Sequence, residues 1–118
     1  LAAISGDVDI VGALIAAGAR PDLVDDQGTT ALMYAASRGR FPVIDALAEA
    51  GADVDAVNRN GETALIRAAQ EGHAPAVRAL LQAGARADIG DFTGRTALDH
   101  ARDRRHRQVI VELERASR

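Results

Sequence analysis

The strongest constraint in this 118-residue chain is a spacing. Gly28, Gly61 and Gly94 stand 33 residues apart, and Thr30, Thr63 and Thr96 follow them in the same register. Ala31, Ala64 and Ala97 continue it, then Leu32, Leu65 and Leu98, then Ala35, Ala68 and Ala101. Gly18, Gly51 and Gly84, each followed by alanine, mark a second line, and Asp22, Asp55 and Asp88 close the unit. A unit of this length cannot bury its apolar face alone, so neighbouring units must stack. Composition agrees: 26 residues are alanine and only 3% are aromatic, so the core is built from many small contacts between closely approaching helices. The 47% hydrophobic and 26% charged fractions belong to a folded globular chain rather than a disordered one.

Each unit reads as two helices and a loop. Thr30 is placed to cap a first helix running through Ala36, its hydroxyl accepting from a free backbone N–H. Gly39 and Gly72 end first helices in the left-handed conformation that favours glycine. Pro42 and Pro75 share a register near the start of a second helix, where a missing N–H costs little. Val43, Ile44 and Leu47 form its apolar stripe, repeated by Ala76, Val77 and Leu80 and by Val109, Ile110 and Leu113. Phe41, just ahead of that stripe, reads as a core residue. Gly51 and Gly84 stop the second helix, and the polar stretch 52–60, with a turn at Asn60-Gly61, reads as an extended hairpin-like loop.

With these residues in place the chain resembles the ankyrin repeat family, of bacterial type, whose signature is T-P-L-H-x-A. The corresponding segments are Thr30-Ala31-Leu32-Met33-Tyr34-Ala35, Thr63-Ala64-Leu65-Ile66-Arg67-Ala68 and Thr96-Ala97-Leu98-Asp99-His100-Ala101. Gly51-Ala52-Asp53-Val54-Asp55 matches the family's hairpin element and Gly72-His73 its inter-helix turn. The resemblance implies an all-α ankyrin repeat solenoid of stacked helix-turn-helix units with hairpin-like loops, and one domain over 1–118. A partial repeat covers 1–24, full repeats cover 25–57 and 58–90, and a C-terminal capping repeat covers 91–118. There are departures. Alanine replaces the signature proline throughout, the signature histidine is absent, and aspartate replaces the hairpin asparagine at Asp22, Asp55 and Asp88. Arg102 stands where alanine is expected and Arg105 where glycine is, as suits a polar cap. The apolar opening Leu1-Ala2-Ala3-Ile4 has no such cap, which together with the non-Met start suggests a piece of a longer protein.

Chemistry is hard to place on this sequence. With no cysteine there is no disulfide framework, thiolate nucleophile or cysteine-built zinc site. Ser5, Ser37 and Ser117 lack a G-x-S-x-G context and a nearby histidine–acid pair. No glycine pattern matches a phosphate loop or a dinucleotide fingerprint. His73 reads as a structural brace of the turn. Asp99, His100 and Asp103 lie at i, i+1 and i+4, a spacing that holds a metal only weakly, and a solvated helix face explains them better. Asp25 and Asp26 read as a solvated hairpin tip. The expectation is no enzyme, no cofactor and no metal. Apolar stretches fall far short of a membrane span, and no leader is visible at the start. Compartment is left open: the cytoplasm is favoured, with the periplasm possible if a leader was removed.

The net charge is −3, and every one of the 14 basic residues is arginine. Residues 1–94 hold 7 arginines against 13 acids, a net of −6, whereas residues 95–118 hold 7 against 4, a net of +3. The run from Arg102 to Arg107 suggests an anionic partner, but Asp103 and Glu112 nearby favour a solvated capping helix. A nucleic-acid binder would carry a longer basic stripe interleaved with aromatics, so none is expected to bind.

What remains is a surface. In the resembled family the concave face carries the hairpin tips and the outer side of the first helices. Carried over by register, these are Asp26, Gln27 and Thr29, then Arg59, Asn60 and Glu62, then Phe92, Thr93 and Arg95 at the tips. The helices add Tyr34, Ser37 and Arg38, then Arg67, Gln70 and Glu71, then His100, Asp103 and Arg104. These positions vary between repeats while the caps and core stripe do not. Of them, Asp26, Gln27, Tyr34, Arg38, Arg59, Asn60, Glu62, Arg67, Gln70, Glu71, Phe92 and Arg95 are the partner-binding candidates. Tyr34, Arg67 and Phe92 lead, because tyrosine, arginine and large anchors dominate interface energies. The reading is a monomeric, non-catalytic protein-binding module whose protein partner the sequence does not identify. There are two alternatives: a small stoichiometric inhibitor or immunity-type protein using the same face, with a basic partner opposite the acidic N-terminal tips, or the recognition domain of a longer protein.

Overall fold

Residues 24–116 are described by the computed structural model, and six helices run through them. They are α1 (Ala31–Ser37), α2 (Phe41–Glu49), α3 (Ala64–Glu71), α4 (Ala74–Gln82), α5 (Ala97–Asp103) and α6 (Arg107–Ala116). The odd-numbered helices start alike. The hydroxyls of Thr30, Thr63 and Thr96 accept from the N–H groups of Met33, Ile66 and Asp99 at 3.1, 3.2 and 3.3 Å. On α5 the Asp99 carboxylate returns the bond to the Thr96 N–H at 3.0 Å, completing a capping box. Each such cap is worth about 1 kcal/mol. Of the even-numbered helices, α2 and α4 begin with proline in the first turn and no side-chain cap.

The helices form two layers. α1 packs on α3 and α3 on α5; outside them α2 packs on α4 and α4 on α6. Ala35, Ala36, Ala68, Ala69 and Ala101 are fully buried, so the inner layer meets through methyl groups. Larger side chains fill the space between layers: Leu32, Ile44, Leu47, Leu65, Leu80 and Leu113 are all buried. This is the all-α repeat architecture that the spacing implied. The connecting loops are tight turns rather than strands; among the described residues the isolated bridge Val24–Thr30 is the one trace of β-pairing. Successive loops also touch, Asp55 Oδ1 accepting from the Arg86 N–H at 2.9 Å.

One expectation is corrected here. Phe41 is not core but 47% exposed. It opens α2 two residues ahead of Val43, roughly 200° round the helix from that buried side chain. The readings made for the partial repeat and for Leu1-Ala2-Ala3-Ile4 lie outside the described residues.

Helix-to-helix turns stack directly on one another. A β-carbon added to Gly39 would lie 2.8 Å from His73 Nδ1, and one added to Gly72 would lie 2.7 Å from His106 Nδ1. Each histidine ring therefore rests on the glycine of the preceding turn. His106 Nε2 also lies 3.0 Å from the Gln70 carbonyl oxygen, tying the last turn to the end of α3. Gly72 has φ of 76°, and Arg105 holds the same register with φ of 60°. A side chain is strained there, by about 1–2 kcal/mol. Gly72→Val should lower stability by about 2–3 kcal/mol through that strain and the clash with His106. Arg105→Gly should raise stability by up to about 1 kcal/mol. Urea denaturation followed by circular dichroism measures both; an unchanged midpoint for Gly72→Val contradicts the turn geometry.

Candidate protein-binding face

The loop tips are organised by three residues in one register: Asp25, Asn58 and Asp91. One side-chain oxygen of each accepts two backbone N–H groups. Asp25 takes those of Gln27 and Thr29 at 2.9 and 3.0 Å. Asn58 takes those of Asn60 and Glu62 at 2.9 and 3.0 Å. Asp91 takes those of Thr93 and Arg95 at 2.9 and 3.0 Å. Neighbouring tips are joined by backbone bonds, Arg59 N–H to the Gln27 carbonyl at 3.0 Å and Phe92 N–H to the Asn60 carbonyl at 3.1 Å. The tips thus form a pre-ordered row.

First helices buttress this row. The Tyr34 hydroxyl donates to Asp25 Oδ2. His100 Nε2 lies 2.9 Å from Asp91 Oδ2, both side chains nearly buried. The middle unit solves the same problem differently, because Asn58 is neutral. Its Nδ2 donates to Glu62 Oε1 at 2.9 Å, and Gln70 Nε2 donates to Glu62 Oε2 at 2.8 Å. Arg67 stands 3.6 Å from the Glu62 carboxylate and donates through Nε to Ser37 Oγ at 2.9 Å, linking α3 to α1.

These contacts fix the charges. The Tyr34 hydroxyl, then the Thr29 N–H, hold the Asp25 carboxyl below its ordinary range, and the same bond raises the Tyr34 phenol. Burial pushes Glu62 up, but donors from Asn58 and Gln70 and the Arg67 charge outweigh it, leaving the group lowered. Asp91 is lowered furthest, first by the Thr93 hydroxyl and then, against the cost of burial, by His100 and the loop N–H groups.

The twelve candidates divide in two. Asp26, Gln27, Arg38, Arg59, Asn60, Glu71 and Phe92 have exposed side chains, whereas Tyr34, Glu62, Arg67, Gln70 and Arg95 are half-buried. Tyr34 and Arg67 are committed to the internal bonds just described. Arg95 pairs with Asp103 and reaches the Asp99 carbonyl at 3.5 Å. Phe92 is 75% exposed, yet a β-carbon on Gly61 would lie 2.5 Å from its ring. The Cδ1–Cε1 edge of the ring lies against Gly61 of the neighbouring tip, and most of the side chain is open. Asp25 is not the solvated acid that the sequence suggested: it is half-buried with three donors, which leaves Asp26 as the exposed carboxylate of that tip. The organising trio Asp25, Asn58 and Asp91 was missed as such, although its own 33-residue spacing was the signal.

Asp99, His100 and Asp103 do not converge. The first caps α5, the second meets Asp91 and the third pairs with Arg95. Among the described residues no group of three or more histidine, cysteine or acidic side chains is arranged for a metal. An open hollow of about 320 Å³ lined by Ala87, Asp88, Thr96, Leu98 and Leu113 lies at the C-terminal end. Its Thr96 hydroxyl is already used as a helix cap. Among the described residues no helix is long and apolar enough to cross a membrane.

Among the described residues, three stacked helix pairs with a row of ordered tips define a helical repeat protein. The family model for ankyrin repeats (three copies) matches residues 1–91 and 43–113, and the chain belongs to the ankyrin repeat family. Members are generally protein–protein interaction modules and typically non-catalytic. A search of curated proteins gives no match.

Carboxylates lowered in the folded state stabilise it above the unfolded range of about pH 4, and that contribution is lost as pH falls through the lower native values. Stability should therefore decline below pH 4, with Asp25, Glu62 and Asp91 among the causes. Asp91→Asn should fold at pH 7, since Asn58 fills the same role in its own tip, and should show a shallower acid-side decline. Urea titrations between pH 7 and pH 2 compare the two slopes; identical slopes contradict the role given to Asp91.

Proposed function

We propose that this chain binds a partner protein through its concave face, with the hairpin tips and the exposed edge of the first helices as the contact surface, and that it performs no catalysis. The observation that supports this most is the row of tips. Asp26, Arg59 and Phe92 hold one register on three loops, each locked by its own hydrogen bonds, and all three side chains are exposed. A surface already ordered before binding loses little entropy on association. The three residues differ in charge and kind while the framework beneath them repeats, which is how one scaffold acquires specificity.

The exposed charges are of both signs: Asp26 and Glu71 against Arg38 and Arg59. With Asp25 taken up internally, the face is mixed rather than acidic, and it suits a partner of mixed charge better than a strongly basic one. That favours an interaction module over an inhibitor of a basic enzyme.

Because Tyr34 and Arg67 are structural, the variant to test is Asp26→Ala, Arg59→Ala and Phe92→Ala combined. It should melt near wild type, since all three side chains are exposed. It should weaken partner capture from native lysate by at least about tenfold, as loss of anchor residues does. Equal capture of the same protein by both forms places the interface elsewhere.

A further inference from the structure

The edge of the stack formed by the inter-helix turns carries a feature that the concave face does not explain. It bears Arg38 and Arg40 between α1 and α2, and Arg104, Arg105 and Arg107 around the turn between α5 and α6, all exposed. The two groups lie on one continuous edge, because His73 rests on Gly39 and His106 on Gly72. The sequence reading of the Arg102–Arg107 run was a solvated capping helix with Asp103 and Glu112 nearby; the structure keeps these arginines exposed and engages the nearby acids elsewhere. Glu112 turns away to Arg78 on α4 at 2.7 Å, Asp103 goes to Arg95, and Glu114 pairs with Arg102 at 3.3 Å. Among the described residues, Arg38, Arg40, Arg105 and Arg107 have no side-chain hydrogen bond or ion pair. Arg104 donates only to the Gln70 carbonyl, at 3.0 Å. Glu71 is the one exposed acid on the middle turn.

Local preference does not put arginine at these positions. Arg40 occupies a helix N-cap, where serine, threonine or aspartate would bond the free N–H groups, and makes no side-chain cap. Arg107 lies in the first turn of α6, the end of a helix that favours anions. Arg105 has φ of 60° where the other turns have glycine. Three arginines thus break three separate local rules on one edge, and sites where local rules fail are commonly functional.

We infer that this edge is a second docking surface, taking an acidic, carboxylate-rich segment of a protein partner. Guanidinium groups match carboxylates in paired, charge-assisted bonds. A nucleic acid fits less well. Single strands use aromatic platforms for stacking, and beside this edge only Phe41 is an exposed aromatic. The net −6 over residues 1–94 also repels a long polyanion while leaving room for a short acidic segment at the positive end. Arg38 borders the concave face, whereas Arg40, Arg105 and Arg107 are not among the concave-face positions, so the edge is tested separately from that reading.

The test measures fluorescence anisotropy with a labelled decaglutamate peptide and with a labelled ten-residue thymidine oligonucleotide, at low salt. The edge variant carries Arg104→Gln, Arg105→Gly and Arg107→Gln. A control variant carries Arg86→Gln, Arg102→Gln and Arg115→Gln, with the same change in net charge. Wild type should bind the peptide in a salt-sensitive manner, the edge variant should lose about tenfold in affinity, and the control should stay within about twofold. Melting curves verify that both variants are folded. Equal losses in the two variants overturn the proposal, since net charge alone then accounts for binding. So does failure of wild type to bind the peptide. Tighter binding of the oligonucleotide, lost in the edge variant, also overturns it and reassigns the edge to nucleic acid.

Discussion

A methyl group is the side chain that the inner layer uses at positions 35, 68 and 101, and the rest of the molecule follows from that limit. Each helix pair has too little apolar surface to close a core alone. Only when α3 approaches α1 closely, and α5 approaches α3, do Leu32, Leu65 and their partners lose contact with water. A bulkier residue at any of these alanines would hold neighbours apart and open the layer between them. The low aromatic content is therefore a condition of the architecture. It is also why the sparse large side chains, Tyr34 and Phe92 among them, sit at the margin rather than in the core.

The tips show how a repeat tolerates change. One oxygen accepting two N–H groups is kept in all three loops, while the second support is exchanged: a phenol in the first, a glutamate–arginine–glutamine cluster in the second, an imidazole in the third. The backbone is held in one shape while its outward side chains are free to differ. Arg67 also connects two units here, since its Nε donates to Ser37 on the previous first helix.

Much of this was legible in the sequence because the period compares each residue with two others. Thr30, Thr63 and Thr96 cap helices, and the glycines at 39 and 72 adopt the left-handed turn, as their repetition implied. Phe41 was misread, although its register-mates Ala74 and Arg107 already showed a position indifferent to size and charge. Asp25 looked like one of two tip acids when considered alone; set against Asn58 and Asp91 it is the acceptor of the loop. The split of the candidate face into free and committed side chains was not legible. It depends on Glu62 replacing the threonine of the first tip and drawing Arg67 inward, an exchange that no single register displays.

The histidines resting on glycines have a thermodynamic meaning. A ring from one unit that closes over the turn of the previous one belongs to neither unit by itself. It is lost whenever either unit opens, so it contributes to the coupling between units rather than to their individual stabilities. In a linear array the ratio of coupling to individual stability decides whether unfolding is a single cooperative event or a fraying from one end. His73 and His106 thus help set the distance over which a disturbance at one unit is felt by the others, and with it whether the row of loop tips behaves as one body.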